Sequence, residues 1–175
     1  MYIPQTKKMA IASIALVATL AIATIAYFVF FPRGDAPHFS KEYGVTLVDY
    51  DGTEVPLSHF RYSPIVVFMW ASWCPYCSAE LQNLVELKKK YGDSIEVLAV
   101  NRAEPLSVAK EFTDVLKEGN TLHFLLDPND ALYHSIGGYA MPETIFVDTS
   151  GEILFHQRGP VAISDVDEWM KHLRK

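Results

Sequence analysis

Cysteine is nearly absent from this chain: of 175 residues only Cys74 and Cys77 carry a thiol. A pair so close together cannot build a disulfide-stapled extracellular scaffold. There is no second C-x-x-C and no histidine pair at ligand spacing, so the four ligands of a structural zinc are missing. Ser78 follows Cys77, where covalent haem attachment needs a histidine. Basic charge is scarce as well. Beyond Phe31 there are 13 Lys and Arg (the chain's 15 less Lys7 and Lys8) against 21 Asp and Glu, a net of −8. That balance argues against nucleic acid or anionic lipid as a partner. The run Lys88-Lys89-Lys90 reads as a solvated helix end, and no internal repeat is present.

Charge is missing altogether from Met9 to Phe31, a run of 23 residues rich in Ala, Ile, Leu, Val and Phe. As a helix it extends about 34 Å, enough for a hydrocarbon core of about 30 Å. A cleaved signal peptide is the competing reading, because Ala21, Ala23 and Ala26 resemble a cleavage site. The run outlasts an ordinary h-region and continues through Tyr27-Phe28-Val29-Phe30-Phe31, which favours an uncleaved transmembrane anchor over residues 9–31. Lys7 and Lys8 precede it with no acid nearby, whereas Arg33 on the far side is joined by Asp35. Residues 1–8 are therefore expected in the cytoplasm and the body outside. Residues 32–40 read as a tether, and residues 41–175 give room for one domain.

Within that body the pattern alternates between strands and helices. Val45–Tyr50 and Glu54–Leu57 flank Asp51-Gly52 as an N-terminal β-hairpin. Ile65–Trp70 is apolar throughout, as a central strand covered on both faces should be. A helix after Cys74 ends near Tyr91-Gly92, and Ile95–Val100 is a second buried strand. A helix is expected from Pro105 to Glu118, with Val108, Phe112, Val115 and Leu116 on one face and Gly119-Asn120 as its stop. Leu122–Leu126 is a short strand, and a small helix runs from Asp127-Pro128-Asn129-Asp130 to Gly137-Gly138. Thr144–Asp148 and Glu152–His156 form a hairpin. The last helix is capped by Ser164, with Asp165, Asp167 and Glu168 in its first turn and Val166, Trp169, Met170 and Leu173 inward. The class is α/β with a mixed central sheet flanked by helices.

The two cysteines fall between the central strand and the helix that follows, the arrangement of a thioredoxin-like redox pair. A helix N-terminus offers unpaired N–H groups and the positive end of the dipole. Cys74 there is the expected nucleophile, and Cys77, one turn on, resolves the mixed disulfide. Pro75 is expected within the first helical turn, where its missing N–H costs little. Trp73 reads as an exposed platform beside the nucleophile, and Tyr76, between the cysteines, as a contact for the partner. The six histidines are scattered, and His134 and His156 read as surface or packed groups rather than ligands.

Phe68-Met69-Trp70-Ala71-Ser72-Trp73-Cys74-Pro75-Tyr76-Cys77 resembles the F-W-A-S-W-C-x-x-C of membrane-anchored thioredoxins of the TlpA/ResA type. Gly137-Gly138-Tyr139-Ala140-Met141-Pro142-Glu143-Thr144-Ile145-Phe146-Val147-Asp148, followed by Gly151, resembles the G-x-x-G-x-P-E-T-F-x-x-D-x-x-G of CcmG/DsbE-type thioredoxins of cytochrome c maturation. The resemblance spans residues 38–175 and implies a thioredoxin-like fold. It also implies a cis Met141-Pro142 bond facing the cysteines, with the Met141 backbone binding a client in β fashion. Glu80 and Glu143 fall where relatives keep acids near the thiols, opposing thiolate formation and relaying a proton to Cys77. No cofactor beyond the Cys74–Cys77 pair is implied. The implied activity is thiol–disulfide exchange through the Cys74–Cys77 pair, read as reduction of client disulfides outside a bacterial cytoplasmic membrane. Client protein disulfides, apocytochrome c among them, are the implied substrate, and a CcdA/DsbD-type membrane protein the electron donor. A disulfide-forming oxidase and a metal or apoprotein chaperone using the same sulfurs are the alternatives. The chain departs from the pattern in Pro75-Tyr76, a glutaredoxin dipeptide, in Gly138, Ala140 and Met141, and in Arg61-Tyr62-Ser63, where Gly-Lys is usual.

Overall fold

The computed structural model describes residues 16–27, 38–116 and 121–172. Two compact units divide the chain at Asp35/Ala36. In the first, residues 16–27 form helix α1, and Leu16, Val17, Leu20, Ile22 and Ile25 are all exposed. Among the described residues no helix is long and apolar enough to cross a membrane. The rest of the expected span lies outside them.

The second unit starts earlier than the sequence reading places it. His38 and Phe39, expected in the tether, belong to the domain. His38 bridges Glu152, and Phe39 is fully buried edge-on against Tyr43, with ring centroids 5.3 Å apart. An apolar ring next to a polar linker finds its free-energy minimum inside the fold.

Seven strands of the described residues form one mixed sheet in the order β2-β1-β5-β4-β3-β6-β7. They are β1 Thr46–Asp49, β2 Glu54–Pro56, β3 Ile65–Trp70, β4 Glu96–Arg102, β5 His123–Asp127, β6 Glu143–Val147 and β7 Ile153–Arg158. The core pair β3–β4 and its neighbour β5 are parallel, and every other pairing is antiparallel. The expected N-terminal hairpin is present as β1–β2.

Strand β3 is the axis of the fold because its alternate side chains serve two cores. Val66, Phe68 and Trp70 face a cluster built with α2 (Cys77–Tyr91), α3 (Leu106–Thr113) and α5 (Ile163–His172). Ile65, Val67 and Met69 face a second cluster containing Phe39, Tyr43, Leu47 and Leu57, together with Leu132 and Tyr133 of α4 (Ala131–Ser135). All six side chains are buried. At roughly 1.5–3 kcal/mol for each, β3 alone contributes on the order of 10 kcal/mol of burial.

Three local expectations are corrected. Helix α3 stops at Thr113 and buries Ala109 and Thr113, while Val108 and Val115 are exposed. Phe112, stacked on Trp70 at 5.2 Å, and Leu116 pack half-buried against the core as expected, while beyond Thr113 no helical period carries Val115 inward. Gly119-Asn120 and Leu173 lie outside the described residues. Ser164 does not cap α5, which begins at Ile163. Instead Asp165 Oδ2 accepts the Ala162 N–H at 3.2 Å, the back-bond of a capping box. Pro75 precedes α2 rather than lying in its first turn.

Candidate active site

Strand β3 delivers the chain into the turn Ala71–Tyr76, which winds into α2 through Cys74 N–H to Ala71 O (3.1 Å) and Cys77 N–H to Cys74 O (3.3 Å). Cys74 and Cys77 are disulfide-bonded, their Cα atoms 5.4 Å apart. Cys74 is only 3 % exposed, while Trp73 and Tyr76 on either side are 62 % and 57 % exposed. The buried Cys74 is thus flanked along the chain by two exposed aromatic residues that form a rim. Glu104 fixes the approach to this turn. Its carboxylate accepts the Ser72 N–H (2.8 Å), the Ser72 hydroxyl (2.6 Å) and the Asn101 side-chain amide (2.7 Å).

The second motif arrives at the same edge of the sheet. Antiparallel pairing of Met69 with Glu143 sets the start of β6 beside the end of β3. The loop entering β6 and the turn leaving β3 thus emerge together. The Met141–Pro142 peptide is cis. Five backbone groups of the loop are held. Gly138 N–H donates to Tyr133 O (2.9 Å), and the Tyr133 hydroxyl donates to Ala140 O (2.9 Å). The N–H groups of Tyr139 and Ala140 donate to Glu143 Oε1 (2.8 and 2.7 Å), and Gly159 N–H donates to Pro142 O (2.8 Å). Met141 differs from its neighbours in that, among the described residues, no hydrogen bond uses either its N–H or its C=O. An extended chain needs such an open donor and acceptor to add a strand.

The two acids occupy different settings. Glu80 is buried (6 % exposed), and the Val161 N–H, between β7 and α5, donates to its Oε1. Its Oε2 has no partner among the described residues and lines a small, mostly apolar cavity with Phe68, Leu84, Leu87, Thr144 and Val166. Burial pushes the carboxyl above its ordinary value, opposed in part by the Val161 N–H. Glu80 is thus not the surface acid that its place early in a helix permits. Glu143 is fully buried, and besides the two loop N–H groups it meets His156 Nε2 at 2.7 Å through Oε2. Its visible work is to hold the loop.

Of the residues picked from sequence, Cys74, Cys77, Trp73 and Tyr76 share one turn, and Met141, Pro142 and Glu143 share the loop beside it. Glu80 lies on α2 one turn beyond Cys77. Sequence reasoning missed Tyr133, Glu104, His156 and Arg158. The last two sit across the hairpin from Glu143 and Ile145, so a strand register with an acid and two bases is the signal that was there to find. Glu104 and Tyr133 gave none. No group of three or more His, Cys, Asp or Glu among the described residues is arranged to hold a metal.

Known proteins resemble this chain in sequence and fold. The family model described as Redoxin matches residues 32–169. The thiol-disulfide oxidoreductase ResA of Geobacillus kaustophilus is 27 % identical over 164 residues, covering 93 % of each chain. The thiol:disulfide interchange protein DsbE of Vibrio cholerae is 34 % identical over 105 residues, 59 % of this chain and 54 % of that one. The crystal structure of the pneumococcal exposed lipoprotein thioredoxin of Streptococcus pneumoniae superimposes with a TM-score of 0.65 at 26 % identity, over 74 % of this chain and 98 % of the other. With the bonded C-x-x-C, the cis-proline loop and these relatives together, the chain belongs to the Redoxin family, as a thiol–disulfide oxidoreductase of the ResA/DsbE type.

Proposed function

We propose that this oxidoreductase is a disulfide reductase, tethered to the outer face of a bacterial cytoplasmic membrane by residues 9–31. A client chain pairs with the free backbone of Met141, beside Pro142 and under the aromatic rim of Trp73 and Tyr76. The Cys74 thiolate attacks the client disulfide and expels one client thiolate. Cys77 then attacks the mixed disulfide, so that two electrons leave with the client and the pair closes as Cys74–Cys77. The observation that carries this reading is the bonded pair lying beside a loop in which, among the described residues, Met141 leaves both its N–H and its C=O unused.

The direction of electron flow rests on Glu80. A buried carboxylate one turn from Cys77 disfavours a thiolate nearby, and what disfavours the thiolate favours the disulfide. A pair that prefers its disulfide is a reductant. Glu80 accordingly receives the role of proton partner for Cys77, and Glu143 that of a loop anchor. The tether is supported by the 23-residue uncharged run, and the outward orientation by Lys7 and Lys8. A reductant outside the membrane draws electrons from within, which gives a CcdA/DsbD-type protein the place of donor. Apocytochrome c, whose haem-binding cysteines must be reduced, is the proposed client. Loss of the gene then lowers c-type cytochromes, and unchanged levels remove that client.

The reduction potential tests the direction. A value near or below thioredoxin's, about −270 mV, is expected, and one near DsbA's, about −120 mV, reverses the assignment. Cys74→Ser abolishes turnover, whereas Cys77→Ser accumulates a covalent mixed disulfide that reductant dissolves. If neither variant changes client reduction, the pair is not the working centre.

A further inference from the structure

Two arginines flank the loop Gly138–Pro142, and their situations differ. Arg102, at the end of β4, stands 3.7 Å from the centroid of the Tyr133 ring and is paired with Asp130, its Nε and Nη2 reaching Oδ2 at 3.0 and 2.9 Å. One edge of its guanidinium is thus in use. Arg158, at the end of β7, lies opposite Glu143 in the ladder, and the Gly159 N–H next to it holds the Pro142 carbonyl. Its backbone is thereby fixed against the cis-proline. Its guanidinium stands 4.5 Å from the centroid of the Tyr139 ring, and Tyr139 is 76 % exposed.

No hydrogen bond among the described residues uses the Arg158 guanidinium. Its buried Nε is 3.8 Å from Glu143 Oε1, beyond hydrogen-bond reach, and its side chain is 32 % exposed. Glu143 does not need it, since His156 and two loop N–H groups already engage both carboxylate oxygens. What remains is a flat fork of donors, placed on an exposed aromatic ring with part of its side chain in solvent. That arrangement suits a planar carboxylate, which takes two parallel N–H bonds from one guanidinium.

We infer that Arg158 and Tyr139 form a subsite for a carboxylate side chain of the client, an Asp or Glu close to the client's reacting cysteine. The inference rests on the proposed reading of Met141 as the client-pairing residue. Tyr139 is two residues from Met141, so an extended client paired there passes within one or two residues of the shelf. The rest of the rim, Trp73 and Tyr76, is uncharged, and Glu80 and Glu143 are buried. Arg158 gives the client-facing edge a cationic point in a domain that is otherwise acidic.

The test uses the full-length protein, reduced, desalted and mixed in excess with synthetic disulfide peptides under single-turnover conditions. In one peptide set a glutamate is walked through three positions on either side of the attacked cysteine, and the matching set carries glutamine. At one or more positions the glutamate peptide should half-saturate about three- to tenfold lower than its glutamine twin, the range expected of a partly exposed bidentate pair. Arg158→Gln should erase that difference, raising half-saturation for the glutamate peptides far more than for their glutamine twins. Arg158→Lys, which keeps the charge but not the fork, should retain only part of it. The inference is overturned if no position shows a glutamate preference, or if Arg158→Gln slows both sets alike. Reduction of the glutamine peptides by wild type reports separately on the reductase reading, whichever way the subsite falls.

Discussion

Replacing Glu80 by glutamine exchanges a buried carboxylate for an amide of the same shape. The amide oxygen can still accept the Val161 N–H, so packing is kept and only the titration is removed. In the wild type, burial raises the native-state value of this carboxyl above the ordinary one. Below about pH 4.3 the group is protonated in both folded and unfolded chains and contributes no pH dependence. As pH rises from there toward the raised native value, the unfolded chain loses its proton while the folded one keeps it. Stability then falls with pH, at up to about 1.36 kcal/mol per pH unit for one proton. Above the native value the curve is flat again. Asp127 is also raised by burial, whereas hydrogen bonds lower Asp148 and Asp167, but all three are common to both proteins and cancel in the difference. Urea unfolding of the oxidised full-length proteins between pH 4 and 9 measures it, with Trp70, Trp73 and Trp169 as fluorescent reporters. The stability of Glu80→Gln relative to wild type should climb through the lower part of that range and then level off. A difference that stays flat, or that falls as pH rises, refutes the account of Glu80 as a buried acid held against desolvation.

The same variant should also move the reduction potential toward less negative values, because the charge that disfavours the thiolates is gone; an unchanged potential breaks the link between Glu80 and electron flow. Tyr133→Phe removes the hydroxyl bond to Ala140 O and should cost about 1 kcal/mol in urea unfolding, with half-saturation for client peptides rising more than the limiting rate falls. Gly138→Ala sets a Cβ about 2.5 Å from the buried Tyr133 ring, which Arg102 holds on its face, and should cost about 1–3 kcal/mol; a neutral result would mean that the ring can move. Glu104→Ala strands the Ser72 N–H and the Asn101 amide and should cost about 1–3 kcal/mol, with a drop in the attack rate of Cys74 on peptide disulfides.

Much of the fold was legible because its signals are local and redundant. The unbroken apolar run of Ile65–Trp70 means a strand covered on two sides, and β3 is that strand. Asp51-Gly52 and Thr149-Ser150-Gly151 mark hairpin turns, and both hairpins are present. The redox turn could be read for the same reason, since strand, C-x-x-C and helix are contiguous. Where one period had to be phased against a partner, the reading slipped. Only half of the expected α3 face, Phe112 and Leu116, packs on the core while Val108 and Val115 are exposed, and Phe39, expected in the tether, packs in the core against Tyr43.

The amino-acid sequence by itself determined the redox pair and the strand-to-helix frame around it, because each is encoded within a few consecutive residues, whereas the cis Met141-Pro142 bond was legible only through the family resemblance. Only the tertiary structure decided what those motifs meet. It buried Glu80 against the Val161 N–H, 81 residues away, and turned Glu143 inward to clasp Tyr139, Ala140 and His156. Among the described residues it left Met141 with neither backbone group bonded and Arg158 with a guanidinium that makes no hydrogen bond. Burial and hydrogen-bond satisfaction depend on which distant groups the sheet register brings together, and a list of residue types does not contain that register.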